Sequence, residues 1–273
     1  MKLLIQTYNL HLFPPWLAQI NDFFSNQTIQ KDDEFRLVAV ARALLQTNAD
    51  CVLLTEIWHQ PYAQKLLDLV SQNWPYSVYP TFRQFLRPLN SGLLFLSKIP
   101  ISSYFFQPFE NSFHPDSWAT KGLLMVKLSN NIRLIGTHLQ ANYSNSDLQY
   151  FEMISRSQIH QLIDLVRKYQ IDWVLGDFNV DPSSLNFQLL TGELQKENLN
   201  YQPTPPRTVP SLAYLFTPSI IFSQMDYIFA KRLNWSKIIT NDISYQYIDA
   251  ENQKHDASDH FPILSEVTIS NSF

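Results

Sequence analysis

An acid and an amide follow a short apolar run in the middle of the chain. Asp177 and Asn179 come after the apolar residues at 173–176, with Phe178 between them. Because side chains alternate along an extended strand, we expect Asp177 and Asn179 to face one side and Phe178 the other. A carboxylate beside a neutral amide can accept a proton, orient a water or bind a hard cation. These residues alone are equally compatible with a strand that runs into an ordinary Asp/Asn turn.

Other polar residues of the same kind stand at the ends of further apolar runs. They are Asn9, Glu56, His138, Asp226, Asp259 and His260. Each alone has an ordinary explanation as a turn residue, a strand end or a half-buried histidine. These separate explanations do not account for the repetition of such residues at one strand end after another. Open α/β sheets bind ligands just outside their strand ends, so a shared binding site does account for it. We therefore expect these side chains to converge on one site.

The chemistry that this set suits is hydrolysis of a phosphodiester. A phosphodiester is an anion that resists attack by water, so a catalyst must neutralise charge on its oxygens. A hard divalent cation bound by carboxylate and amide oxygens does so, and Glu56 with Asn9 beside it is the candidate metal site. Asp177 is the candidate acceptor for the proton of water, oriented by Asn179.

Two histidines are the candidate donors to the phosphate. His138 and His260 can donate near neutral pH. Asp226 is the candidate partner of His260, because a carboxylate behind a histidine fixes its tautomer and favours its charged form. The sequence therefore predicts an acid, base and metal site assembled from strand ends.

The elements that must position these residues alternate along the chain. Helices are predicted at 33–46, 61–72 and 147–169. Strands are predicted at 2–9, 51–56, 76–80, 91–98, 121–128, 132–140, 172–180, 225–231, 235–246 and 262–269, with a tight turn at Asn130-Asn131 and a proline-rich loop at 202–222. This pattern predicts an α/β (α+β) domain over residues 1–273, with two packed mixed β-sheets flanked by helices.

Composition narrows the functional classes. The chain has 273 residues, 45% of them hydrophobic, and one cysteine, Cys51, so an internal disulfide and a cysteine metal cluster are both excluded. The net charge of −4 argues against a nucleic-acid-binding protein that makes many contacts with backbone phosphates. The N-terminus lacks the pattern of a signal peptide, and the expected location is cytoplasmic by default, with export by a signal-peptide-independent route as the alternative.

The ordered motifs resemble the endonuclease/exonuclease/phosphatase superfamily. The matching segments are Asn9, Glu56, Thr137-His138-Leu139, Gly176-Asp177-Phe178-Asn179, Asp226-Tyr227-Ile228 and Ser258-Asp259-His260-Phe261-Pro262. The resemblance implies a four-layer αββα sandwich and a Mg²⁺-dependent phosphoesterase, with Mn²⁺ or Co²⁺ as alternative ions. It also implies that Asp259 lies close to the metal with Asn9 and Glu56, and that Asp177 and Asn179 hold the attacking water.

Within the superfamily, several segments resemble the bacterial neutral sphingomyelinases. The sharpest is Gly136-Thr137-His138-Leu139-Gln140-Ala141, and Lys121-Gly122 also matches. The resemblance implies a phospholipid substrate related to sphingomyelin, with peripheral membrane contact left open and nucleic acid less favoured. A nuclease, an inositol-phospholipid phosphatase and a catalytically idle scaffold that binds lipid or protein are the alternatives. Apolar stretches at 82–87, 212–216 and 220–222 could touch lipid, although packing on the core is the favoured interpretation.

Overall fold

A computed structural model describes residues 2–16, 33–81, 87–143, 145–201, 224–231, 235–239 and 245–268. The predicted proline-rich loop and the apolar stretches at 212–216 and 220–222 lie outside the described residues, as does the apolar stretch at 82–87 except for Arg87. No described helix is both long and apolar enough to cross a membrane.

The first sheet has six described strands. Their spatial order is β11 (Trp235–Ile239), β14 (Ile263–Thr268), β1 (Lys2–Leu12), β2 (Cys51–Ile57), β4 (Leu94–Ser97) and β3 (Tyr76–Val78). β1 and β2 run parallel, whereas β14 runs antiparallel to β1. Alternate side chains of β2 enter two different apolar cores, which is why residues 51–54 are all apolar ahead of Thr55 and Glu56.

The second sheet also has six described strands. Their order is β5 (Ile101–Pro108), β6 (Gly122–Leu128), β7 (Arg133–His138), β8 (Trp173–Asp177), β10 (Asp226–Lys231) and β9 (Leu199–Tyr201). β7 and β8 are parallel, and β10 is antiparallel to β8. The predicted turn at Asn130-Asn131 joins β6 to β7, and Asn131 adopts φ 67 there.

Helices cover the outer faces of both sheets. They are α1 (Asp33–Gln46), α2 (Gln60–Val70), α3 (Leu148–Tyr169) and α4 (Leu185–Lys196). α1 and α2 pack their apolar faces on the first sheet, and α3 and α4 pack theirs on the second. A third core, which includes Leu53, Phe95 and Leu175, lies between the sheets. The predicted four-layer αββα sandwich is therefore confirmed.

Several predicted strands are longer than the observed ones, including those predicted at 76–80 and 91–98, which cover Tyr76–Val78 and Leu94–Ser97. The strand predicted at 172–180 ends at Asp177, because Gly176 has φ 141 and Asn179 has φ 50, so the chain turns. A Cβ at Gly176 would lie 1.9 Å from the carbonyl oxygen of Thr137, so this close approach requires glycine. The strand predicted at 132–140 covers Arg133–His138. Within the strand predicted at 235–246, residues 240–244 lie outside the described residues, β11 covers Trp235–Ile239, and Gln246 begins β12 (Gln246–Ile248), which forms a ribbon with β13 (Lys254–Asp256).

A buried arginine joins α1 to the end of β1 and to the segment that precedes β14. Arg36 on α1 is almost fully buried and donates to the carbonyl oxygens of Leu10, His11 and Ala257. Its remaining charge is met by Asp33, with Nη1 2.7 Å from Oδ1. The arginine therefore fixes the end of β1 relative to the segment that leads into β14.

We expect Arg36→Met to lower the free energy of unfolding by about 3–5 kcal/mol, because it leaves Asp33 buried without its cation. Urea unfolding measures the loss. The control is Lys65→Met, which removes an exposed ion pair with Glu34 and should cost less than about 1 kcal/mol. Equal losses in the two variants would contradict a structural role for the buried arginine.

Candidate active site

Strand direction brings polar side chains of both sheets to one edge of the sandwich. Parallel β1 and β2 place Asn9 and Glu56 at neighbouring carboxyl ends. Parallel β7 and β8 likewise place His138 opposite Asp177. β10 runs antiparallel, so its first residue, Asp226, lies opposite Asp177. One cluster therefore draws on the ends of five strands.

Asn9 links the two sheets through its side-chain amide. Its Nδ2 donates to Glu56 Oε1 and to Asp177 Oδ2, both at 2.9 Å. Its Oδ1 accepts the backbone N–H of His11 at 3.0 Å. Asn9 is fully buried, and in this arrangement it holds two carboxylates together as a donor.

Glu56 is held in its ionised form by a histidine. Burial raises the pKa of Glu56, but the hydrogen bond and charge of His11 outweigh it and keep the pKa well below the usual range. His11 Nδ1 lies 3.4 Å from Glu56 Oε2 and 3.8 Å from Asp259 Oδ2. Burial lowers the pKa of His11, yet the charges of Asp259 and Glu56 raise it overall. Asp259 thus lies on the Glu56 side of the cluster.

His260 and Asp226 form a close charged pair. His260 Nδ1 donates to Asp226 Oδ2 at 2.6 Å. Burial alone would lower the pKa of His260, but the charges of Asp226 and Asp259 hold it well above the ordinary value for histidine. Ser258 anchors this segment by donating to the carbonyl oxygen of Asn9 at 2.6 Å and accepting the His260 N–H at 3.1 Å. These two carboxylates therefore favour the charged form of the His260 imidazole.

Asp177 is the most deeply buried carboxylate at the centre of the cluster. Burial and the charge of Asp226 raise the pKa of Asp177 to about 7. Its Oδ1 accepts the backbone N–H of Asn179 at 3.0 Å, and the Asn179 amide donates to the carbonyl oxygen of Leu139 at 3.2 Å. A carboxylate poised near neutral pH is suited to accept a proton from water.

His138 is buried and neutral. Burial and the charge of Lys121 lower the pKa of His138 well below the ordinary value. Its Nε2 lies 3.1 Å from Lys121 Nζ and 3.8 Å from both Glu56 Oε1 and Asp177 Oδ2. The positive charge on this side of the cluster therefore belongs to the lysine, and any hydrogen bond from His138 comes from a neutral imidazole.

Lys121 belongs to a polar network of its own. Although it is only 1% exposed, its Nζ lies 2.6 Å from Asp116 Oδ2 and donates to the carbonyl oxygen of Leu139 at 3.0 Å. Tyr143 donates to the other oxygen of Asp116 at 2.7 Å. This network runs from His138 outward to the partly exposed ring of Tyr143.

The donor set fits a divalent cation. Glu56, His138 and Asp177 offer ligand atoms within 4.8 Å of one another, and so do Asp177, Asp226 and His260. Among the residues that the structure describes, none donates a hydrogen bond to the buried Asp226 Oδ1, and burying this oxygen costs free energy unless a cation or a donor binds it. The cluster is rich in carboxylate oxygens, which are the ligands that hard cations prefer.

The structure brings all eight predicted residues into this one cluster. They are Asn9, Glu56, His138, Asp177, Asn179, Asp226, Asp259 and His260. Sequence reasoning gave no role to His11, Lys121 or Asp116. His11 follows Asn9 by two residues, so the period of a strand could have indicated it. Asp116 lies in a short 3₁₀ turn and has no comparable signal.

The profile of the Endonuclease/Exonuclease/phosphatase family matches residues 7–260 of the chain. The protein therefore belongs to this family, as the ordered motifs predicted. The chain is similar to a phospholipase C of Staphylococcus aureus, with 24% identity over 253 residues that cover 79% of this chain and 75% of that protein.

Solved structures share the fold over almost the whole chain. Sphingomyelinase C from Streptomyces griseocarneus superposes with a TM-score of 0.76 at 20% identity, covering 98% of this chain and 100% of that one. A mutant of beta toxin from Staphylococcus aureus, solved with bound magnesium ions, superposes with a TM-score of 0.75 at 20% identity, covering 98% and 99%. These likenesses confirm the predicted fold.

Proposed function

We propose that the protein is a metal-dependent phosphodiesterase that hydrolyses a sphingomyelin-like phospholipid by direct attack of water on phosphorus. The observation that carries the proposal is the convergence of a near-neutral Asp177, a cationic His260 and the Glu56 carboxylate in one buried cluster. The lipid substrate is supported by similarity to proteins named phospholipase C and sphingomyelinase C.

The proposed cofactor is Mg²⁺, with Mn²⁺ or Co²⁺ as alternatives, held by Glu56 and Asp259. The Asn9 amide nitrogen faces Glu56 in this structure, so Asn9 would join these ligands only if its amide group flipped to present Oδ1 to the cation. The magnesium bound to beta toxin supports this choice. A bound cation supplies positive charge that neutralises the phosphoryl oxygens and favours attack at phosphorus.

The remaining residues divide the proton transfers and charge stabilisation between them. Asp177 accepts the proton of the attacking water, and Asn179 keeps the carboxylate in place through its backbone N–H. His260, charged and oriented by Asp226, donates to a phosphoryl oxygen as negative charge develops there. On the opposite side, Lys121 contributes positive charge, and His138 Nε2 accepts a hydrogen bond from the lysine ammonium and holds it in place.

Membrane contact is proposed for an exposed apolar patch beside the site. We define the patch as five exposed apolar side chains that lie just before α3, in its first two turns or at the start of α4: Tyr143, Leu148, Tyr150, Met153 and Leu185, which are 38%, 39%, 56%, 58% and 69% exposed. The Tyr143 ring packs 6.0 Å from that of Phe151 on α3, and the Asn186 amide joins the start of α4 to the Glu152 carbonyl oxygen at 2.9 Å. The Tyr143 hydroxyl also donates to Asp116, so this residue of the patch contacts the polar network around Lys121.

We expect the double variant Tyr150→Ser/Met153→Ser to lower hydrolysis of vesicle lipid at least about tenfold, because two apolar side chains that enter a bilayer only in part still contribute together more than the ~1.4 kcal/mol of a tenfold change. Hydrolysis of a soluble phosphocholine ester should not change. Tyr104→Ser, at a position equally exposed on β5, is the matched control. A loss on both substrates, or the same loss in the control, would contradict a membrane role for the patch.

A substrate panel tests the proposed reaction. The purified protein is incubated with sphingomyelin, plasmid DNA and inositol polyphosphates, each with Mg²⁺ and with chelator. We expect chelator-sensitive release of phosphocholine from sphingomyelin alone. Nicked plasmid with intact lipid would identify a nuclease, inorganic phosphate from the inositol substrates would identify a phosphatase, and no reaction at all would leave a binding scaffold.

A further inference from the structure

Trp58 lies directly after β2 and contacts two members of the cluster. Its side chain is buried, with 5% of the residue exposed. The centroid of its ring lies 5.7 Å from that of His138, at an angle of 38° between the planes. Lys121 Nζ lies over the same ring, 5.9 Å from its centroid, which is within the range of a cation–π contact. The indole therefore borders both residues of the Lys121–His138 pair.

The ammonium of Lys121 has no hydrogen-bond donor left for a substrate. An ammonium carries three N–H donors. These donate to Asp116 Oδ2 at 2.6 Å, to the carbonyl oxygen of Leu139 at 3.0 Å and to His138 Nε2 at 3.1 Å. Lys121 therefore acts on a substrate through its charge, and the value of a fixed charge depends on its being held in place. The face of an aromatic ring attracts a cation without using a donor.

The ring of Trp58 is itself held by close packing. Gly92 has φ 71, and a Cβ at this position would lie 2.5 Å from Cζ3 of the Trp58 ring, so only glycine allows the ring to approach this closely. Leu89, Ala119 and Phe13 pack around the indole. Among the residues that the structure describes, none accepts a hydrogen bond from Trp58 Nε1. Packing rather than hydrogen bonding thus fixes the indole.

We propose that Trp58 is a positioning residue of the site, and that its aromatic ring holds the Lys121 ammonium and the His138 imidazole in their working positions. The inference rests on the phosphodiesterase activity proposed above and adds a residue to its site. Its physical basis is that a cation–π contact is strongest when the cation is desolvated, as the buried Lys121 is. A small displacement of such a charge from its position lowers the rate of a reaction strongly.

The chain offers a second tryptophan–lysine contact that serves as a control. Trp74 is 2% exposed, and Lys98 Nζ lies over its ring at 4.9 Å from the centroid. Trp74 Nε1 also donates to the carbonyl oxygen of Leu44 at 2.9 Å. This tryptophan packs in the core between the first sheet and its helices, away from the cluster. Substitutions of Trp74 therefore show what the loss of a buried tryptophan does to the fold alone.

Two substitutions of Trp58 separate positioning from core packing. We expect Trp58→Leu, which removes the aromatic ring, to lower kcat for sphingomyelin at least about tenfold while KM stays within about threefold. Trp58→Phe keeps a ring and should retain kcat within about threefold. Trp74→Leu should lower the midpoint of thermal unfolding but keep the wild-type kcat. Equal kcat in the two Trp58 variants, or an equal loss in Trp74→Leu, would overturn the proposal.

Fluorinated tryptophan tests the cation–π contact with little change in shape. Each added fluorine withdraws electron density from the indole and weakens its attraction for a cation. We expect kcat to fall stepwise as tryptophan is replaced throughout the protein by its mono-, di- and trifluorinated forms. The control is the same series in Trp58→Phe, where the other five tryptophans carry the label and kcat should not change. A level response in both proteins, or the same fall in both, would overturn the proposal.

Nitrogen-15 NMR of the histidine-labelled full-length protein tests the geometry without a substrate. A lysine ammonium only donates, so His138 Nε2 is the acceptor and the ring proton lies on Nδ1. We expect the Nε2 resonance, assigned with His138→Gln, to shift in Trp58→Leu and to keep its position in Trp58→Phe and Trp74→Leu. An unshifted resonance in Trp58→Leu would overturn the role of Trp58. The expected shifts in a protein that leaves sphingomyelin intact would support that role and contradict the proposed function.

Discussion

Replacing His260 with glutamine is expected to lower kcat about a thousandfold, within the range that a positioned acid or base contributes. The amide can still donate to Asp226, and so the fold should persist, but it cannot carry the positive charge that the Asp226 and Asp259 carboxylates maintain on the imidazole. Steady-state hydrolysis of sphingomyelin measures the loss of kcat, and the midpoint of thermal unfolding shows whether the fold persists.

The chain offers a matched control for this variant. His255 also lies 2.7 Å from a carboxylate, that of Asp249, but in the ribbon of β12 and β13 rather than in the cluster. His255→Gln should keep the wild-type rate. Near-wild-type turnover in His260→Gln, or an equal loss in both variants, would show that the cluster is not the reactive site.

Replacing Glu56 with glutamine is expected to have an effect of similar size for a different reason. The change keeps the volume and the contact with Asn9 but removes the charge that the proposed cation needs, a loss of several kcal/mol of transition-state stabilisation, or about 10³-fold in rate. The rate and the affinity for Mg²⁺ are both measured, and both should fall.

Glu193→Gln provides the comparison for Glu56→Gln. Glu193 carries its charge on the surface of α4, where it pairs with Arg167 and Lys196. We expect no change in rate or metal affinity for this variant. A Glu56→Gln protein that lost activity but bound Mg²⁺ as tightly as the wild type would place the cation elsewhere in the cluster.

The site was predictable from the sequence because its residues end or begin strands. An apolar run followed by Glu56, His138 or Asp177 is visible without a structure, and parallel pairing of β1 with β2 and of β7 with β8 then brings such ends together. Local turn geometry was not predictable in the same way. The strand at Asp177 was predicted too long because an alternating pattern does not reveal the left-handed turn at Asn179.

Elements with weak patterns escaped prediction. β5 is an edge strand with mostly exposed or half-buried side chains, and so it lacks a continuous apolar run. α4 contains Gly192 and packs only part of its length on the core, which weakens its helical pattern. The partners of Lys121 were missed for another reason. Asp116 and Tyr143 meet it only through tertiary contacts that local sequence does not encode.

The most direct test is the release of phosphocholine from sphingomyelin vesicles as Mg²⁺ is titrated into protein first treated with chelator. We expect no release at the start, saturable recovery in the wild type, and no recovery in Glu56→Gln at the same Mg²⁺ concentrations. Release that continues unchanged in excess chelator would contradict a metal-dependent phosphodiesterase built on Glu56, Asp177 and His260.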